Sequence, residues 1–100
     1  DCNDSVLVAP VDATGPKPVQ RFLVGPVGGE ICGPLMAQEE TAFLCAIQHP
    51  GANNVAGTDY AQLRWAGHAT PTSRFPDGGD SWPRSAVIVV TRDDGGRIGS

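Results

Sequence analysis

The sequence has no basic cluster. Its seven Lys and Arg residues are scattered through 100 positions, against eleven Asp and Glu, for a net charge of −4. Aromatic residues make up only 6% of the chain. A protein that binds nucleic acid needs a cationic stripe for phosphates and aromatic faces for bases, so no nucleic-acid partner is expected. No apolar run approaches the ~18 residues of a membrane-spanning helix, and no basic-then-apolar leader is present. The chain opens Asp1-Cys2-Asn3-Asp4, without an initiator Met. It therefore reads as a piece of something longer, for which the missing leader carries no information. A Gly-x-Ser-x-Gly elbow is missing, and so is a Gly-rich phosphate loop ending in Lys-Ser/Thr. Nothing in the spacing favours a Ser/His/Asp triad. Cysteine is scarce: Cys2, Cys32 and Cys45. An odd count rules out complete intramolecular pairing, and no Cys lies in a zinc-type spacing. Cys32 and Cys45 sit in apolar, strand-like contexts and are expected to act as small hydrophobes. A disulfide is the lesser alternative.

What the chain has in excess is glycine and proline, 13 and 9 residues. That argues for many turns and little helix. The apolar fraction of 40% excludes a fully disordered chain. At this length one domain at most is expected, with a thin margin of stability.

Ser5 to Val11 is a short apolar run closed by Asp12-Ala13-Thr14-Gly15-Pro16-Lys17-Pro18, a turn or loop. Val19 to Gly25 resumes with partial alternation. The two read as an antiparallel pair over 5–25. Gly25-Pro26-Val27-Gly28-Gly29 is a second breaker, whose glycines allow unusual backbone angles or close backbone approach. Glu30 to Met36 reads as a short strand interrupted by Gly33-Pro34. Gln38 to Thr41 reads as a polar turn. Ala42 to Ile47 is a continuous apolar run of strand length, expected to be covered on both faces. A helix there would be too short, and Pro50 closes it. Residues 51–85 show no convincing regular structure, although Tyr60 to Trp65 could form a helical turn. A loop this long is functional or disordered in most proteins. Ala86 to Thr91 is the strongest strand, ending in the turn signal Arg92-Asp93-Asp94-Gly95-Gly96. Arg97-Ile98 would begin another strand. The fold class expected is all-β, an antiparallel meander of about five strands. Two strands, a breaker and three to four strands match the end of one β-propeller blade and most of the next.

Several stretches resemble PhoX-type alkaline phosphatases, in the family's order over nearly the whole chain. Gly25 to Pro34, GPVGGEICGP, resembles the family's GPxGxExxGP segment. Thr41 to Gly51, TAFLCAIQHPG, resembles its TLFVxIQHPG strand. Phe75-Pro76-Asp77-Gly78-Gly79 with Pro83 to Val87 resembles WPDG…PRPSVV. Thr91 to Gly96 resembles TRDDGG, and Asn3-Asp4 resembles the start of NDGLFxV. The resemblance implies the carboxyl-terminal part of a larger β-propeller: the strand pair 5–25 from one blade, and 30–98 as the next blade with its long loop 51–85. It implies an exported, periplasmic or secreted hydrolase of phosphate monoesters, with calcium and iron held at the propeller centre by acidic residues from several blades. Glu30 matches a metal-binding carboxylate. Cys32 does not match the iron-binding Cys of the family. Two departures stand out. Met36-Ala37-Gln38-Glu39-Glu40 replaces the family's FTPDG turn, and Ala52 stands where a Glu often follows QHPG.

Taken from the residues alone, Glu30 after two glycines is either solvated at a strand start or drawn into a site. One Glu cannot build a calcium shell, which needs several oxygens. Neither calcium nor iron is expected fully bound in this piece, and no catalytic residue is assigned. His49 could ligate metal, bond a phosphate or fasten its loop to backbone, and the Pro-Gly turn after it favours fastening. His68 is expected to be exposed. Asp77, Asp80, Asp93 and Asp94 read as turn formers, because the calcium-loop spacing of an EF-hand is absent. Arg84 could meet phosphate, and a structural role is favoured. The function expected is the carboxyl-terminal portion of a PhoX-like metal-dependent phosphatase, inactive by itself. The alternative is a non-catalytic structural or ligand-binding propeller module. The partners expected are the remainder of the propeller, a phosphate monoester in the parent, and further copies through open strand edges.

Overall fold

The computed structural model describes residues 3–11, 14–52 and 71–99. These form five strands in two antiparallel sheets: β1 (Ser5–Val8) with β2 (Gln20–Val24), and the meander β3 (Glu30–Met36), β4 (Ala42–Gln48) and β5 (Ala86–Thr91), with β4 in the centre. A three-residue 3-10 turn at Gln38–Glu40 joins β3 to β4, and there is no α-helix among the described residues. The chain is all-β and antiparallel. No described helix is long and apolar enough to cross a membrane.

Two of the three antiparallel pairs, β1–β2 and β3–β4, contain one extra residue on one strand. In β2, Val6 pairs Leu23 and Leu7 pairs Arg21, so Phe22 is bulged out of the ladder. Its ring meets Phe43 of β4 edge-on, with centroids 5.4 Å apart and planes at 84°. This is a favoured aromatic geometry, and it locks the small sheet onto the large one. In β3, Cys32 pairs Ala46 while Leu35 pairs Leu44, so Gly33-Pro34 form the bulge. Gly33 has φ 57°, the left-handed conformation such bulges use. Pro34, without an N–H, is tolerated there.

The core lies on the face of β4 that carries Phe43, Cys45 and Ile47; Cys45 and Ile47 are each 1% exposed. Across the ladder Val90, Ile88 and Ala86 stand beside them. The expectation that Ala42 to Ile47 is covered on both faces is corrected. Burial alternates along β4, and Ala42, Leu44 and Ala46 are half-buried. The strand is apolar throughout because it is central. Its neighbours β3 and β5 flank the second face without capping it, and Leu35, Val87 and Val89 on that face are 61%, 69% and 59% exposed.

Arg97-Ile98 do not begin a strand, which corrects a second expectation. Arg92 pairs with Asp94, and Asp94 accepts the Gly96 N–H at 2.9 Å. The chain is thereby turned back over the β3–β4 connection, where the Ile98 N–H donates to the Glu40 carbonyl at 2.8 Å. Within the long excursion, residues 71–85 hold neither strand nor helix. The Tyr60 to Trp65 turn and His68 lie outside the described residues. The two described ends of the excursion meet: the Thr72 N–H donates to the Gly51 carbonyl at 3.3 Å.

Candidate functional site

Glu30 and His49 come together at one end of the large sheet. Glu30 opens β3 and pairs with Gln48, the last residue of β4. His49 follows with φ 32°, which turns the chain out of the ladder and its ring back over Glu30. Two loops clamp this corner. The Gly51 N–H donates to the Val27 carbonyl at 2.8 Å. Gly28, at φ 70°, lies so close to Ala52 that a Cβ on it would be 2.3 Å from the Ala52 carbonyl oxygen. Only glycine permits that approach. Pro50, Gly51 and Ala52 are buried in consequence.

The His49 ring lies between two oxygen acceptors. Nδ1 is 3.1 Å from the Gly28 carbonyl oxygen and Nε2 is 3.2 Å from Glu30 Oε2. A carbonyl oxygen only accepts, so Nδ1 carries a hydrogen. Glu30 Oε2 accepts from Nε2 where that nitrogen carries the hydrogen. The two side chains are half-buried, 29% exposed for His49 and 42% for Glu30. The His49 N–H donates to Ser85 Oγ at 3.2 Å, which ties the corner to the entry of β5.

On the other side of Glu30, Asp4 Oδ2 accepts the Ile31 N–H at 3.1 Å, while the Asp4 carbonyl accepts the Gly25 N–H at 2.8 Å. Asn3 Nδ2 donates to the Gly25 carbonyl at 3.0 Å. The segment before β1 is thus stitched to the β2–β3 connection beside Glu30. Burial pushes the Cys32 thiol up, and a hydrogen bond to Glu30 and the charges of Glu30 and Asp4 push it further. Burial also raises Cys45. Cys32 and Cys45 are both free thiols.

The sequence singled out Glu30 and His49 separately, and the structure brings them into contact. His49 does fasten its turn to backbone, and it holds Glu30 as well. Arg84 lies elsewhere and grips both carboxylate oxygens of Asp77 through Nε and Nη2, at 2.8 to 3.0 Å, in a structural pairing. Asp94 shapes the turn after β5. Asp4 and Ser85 were not singled out. Ser85 has no local signal, and its contact with His49 spans 36 residues. The Asn3-Asp4 pair before β1 was visible only as part of a motif.

Glu30 presents a hard oxygen donor suited to calcium. Among the described residues no group of three or more His, Cys, Asp and Glu side chains is arranged to hold a metal ion. Comparison of the chain with protein families, with curated proteins and with solved structures finds no match.

Proposed function

We propose that this chain is the carboxyl-terminal portion of a PhoX-like, metal-dependent phosphatase that hydrolyses phosphate monoesters. The observation that carries this reading is the Glu30–His49 corner. A carboxylate stands at the first position of a meander's first strand, held by a side-chain hydrogen bond at 3.2 Å. The motif residues that prompted the reading converge there: Gly28, Glu30, His49, Pro50 and Gly51 form one packed unit. The element order supports it too. The pair β1–β2 would end one propeller blade, and β3–β4–β5 would form most of the next, with the open face of the large sheet turned toward a neighbouring blade.

In this reading Glu30 is one ligand of a central site, and the rest of the propeller contributes the others. Calcium and iron are the ions the family uses. The chemistry they supply when bound is polarisation of the phosphoryl oxygens and neutralisation of charge developing there. This chain's own part is to present the Glu30 carboxylate in a fixed place. The piece alone would be inactive, and the intact protein would work in the periplasm or outside the cell.

A second reading, a non-catalytic structural or ligand-binding propeller module, is favoured by one observation. His49 already engages one oxygen of Glu30, and propeller folds serve many functions. Glu30→Gln in the intact protein separates the two. The phosphatase reading expects bound metal, measured by elemental analysis, and hydrolysis of a chromogenic phosphate monoester to fall together. Unchanged metal content with unchanged turnover selects the second reading.

A further inference from the structure

We propose that residues 92–98 form a salt-sensitive latch: the Arg97–Glu40 ion pair holds the β3–β4 connection in a strained backbone conformation, and weakening that pair lets the connection open. The device is separate from the Glu30–His49 corner, which lies at the opposite end of the large sheet.

The strain lies at Glu39 and Glu40, whose φ angles are 67° and 60°. Two successive residues with a Cβ are thereby left-handed, a conformation that presses Cβ against the following carbonyl oxygen. The connection Ala37 to Thr41 contains no glycine that would adopt it freely. Such strain persists only where the surroundings over-determine it. Two bonds within the connection contribute. The Ala37 N–H donates to the Ala42 carbonyl at 2.8 Å, and the Glu40 N–H donates to the Ala37 carbonyl at 2.9 Å. A further hold comes from the segment after β5. The Ile98 N–H donates to the Glu40 carbonyl at 2.8 Å, and the Arg97 guanidinium clasps Glu40 Oε2 through Nε at 3.1 Å and through Nη2. Arg92 aims this segment: it pairs with Asp94 at 2.7 Å and donates to the Arg97 carbonyl at 3.4 Å. The strained Glu40 is thus held by backbone and side chain alike from 57 residues away. The clasp is exposed, 64% at Arg97 and 53% at Glu40, so dissolved salt screens it. What it guards is close by. The Ala37–Ala42 bond is the rung next to the Met36–Phe43 pair, and Phe43 carries the ring that meets Phe22.

Hydrogen exchange of the intact protein, read by mass spectrometry on peptides that cover the Ala37 amide, reports opening of this rung. Wild type, Arg97→Ala, Glu39→Gly and the double variant are compared. A latch working against strain expects Arg97→Ala to exchange roughly 3- to 10-fold faster. It expects Glu39→Gly to exchange more slowly than wild type, because glycine takes the left-handed angle without steric cost. The double variant should return toward wild type. Amides at the centre of β4, Leu44 and Cys45, are the control and should keep their rates. Unchanged exchange in Arg97→Ala overturns the latch, and so does equal acceleration at Leu44 and Cys45, which is global loosening. Faster exchange in Glu39→Gly also overturns it, because glycine in an unstrained turn only adds freedom. Salt gives a second measurement that needs no variant. Wild type in about 1 M sodium chloride should approach the exchange of Arg97→Ala, and Arg97→Ala itself should respond less. A wild type indifferent to salt, or an equal salt response in both proteins, rejects the inference.

Discussion

Gly28 does at the residue scale what no side chain could. Its left-handed φ of 70° and its packing against the Ala52 backbone bring two loops into contact, and the Glu30–His49 pair depends on that contact. Gly33 also has positive φ, at 57°, but a Cβ there would meet open space. The two glycines therefore make an internal comparison. Gly33→Ala should cost about 1–2 kcal/mol from backbone strain alone. Gly28→Ala should cost about 3 kcal/mol or more, because overlap with fixed backbone adds to the strain. Chemical denaturation measures both, and equal losses would show that the two loops are not clamped at Gly28. At this scale the sequence was half legible. A run of glycines before Glu30 announced either odd backbone angles or close approach, and both occur at Gly28. What it could not announce was the partner. Ala52 and Ser85 are distant in sequence, and neither residue type carries a signal of contact with a loop 24 residues earlier or a histidine 36 residues earlier.

Elements here are defined as much by their ends as by their strands. After β5 the turn is held by Asp94, whose carboxyl is drawn below its usual 3.8 by the Gly96 N–H first and the Arg92 guanidinium second. A folded-state value below the unfolded one means stability that is present above the usual aspartate range. It is lost as pH falls through the lowered value. Thermal midpoints of the wild type should therefore drop on acidification below about pH 4, and those of Asp94→Ala should drop less. Parallel acid limbs in the two proteins would remove Asp94 from this role. The same turn explains where strand reading stopped working. Asp93-Asp94-Gly95-Gly96 announces a reversal, and a reversal after a strand ordinarily predicts a hairpin partner. Here the Arg92–Asp94 pair and the Ile98 bond to Glu40 direct the chain elsewhere. β4 shows a related ambiguity. A continuous apolar run signals a central strand, but it does not say whether the layer above the second face belongs to the same chain.

For the whole molecule, that second face is the dominant surface feature. Leu35, Val87 and Val89 stand exposed on it beside Leu44 and Ala46, and among the described residues β3 and β5 each present an unpaired edge in the order β3-β4-β5. Open edges beside an apolar face invite pairing between chains. The 100-residue chain should self-associate as its concentration rises, and replacing Val87 and Val89 together by Lys should lower the apparent mass seen by light scattering. A strictly monomeric wild type at high concentration would contradict this. The all-β class was legible from turn residues and β-branched runs. The stacking of β1–β2 on the larger sheet was not, because it rests on one bulge that aims Phe22 at Phe43. The meeting of Gly51 with Thr72 has a consequence of another kind. The two described ends of the excursion meet at one gate, Gly51 and Thr72. Closing such a gate costs only about 0.6 kcal/mol more for each doubling of the enclosed length. Joining Gly51 to Thr72 thus makes the cost of a longer or shorter connection between them a matter of chain entropy first.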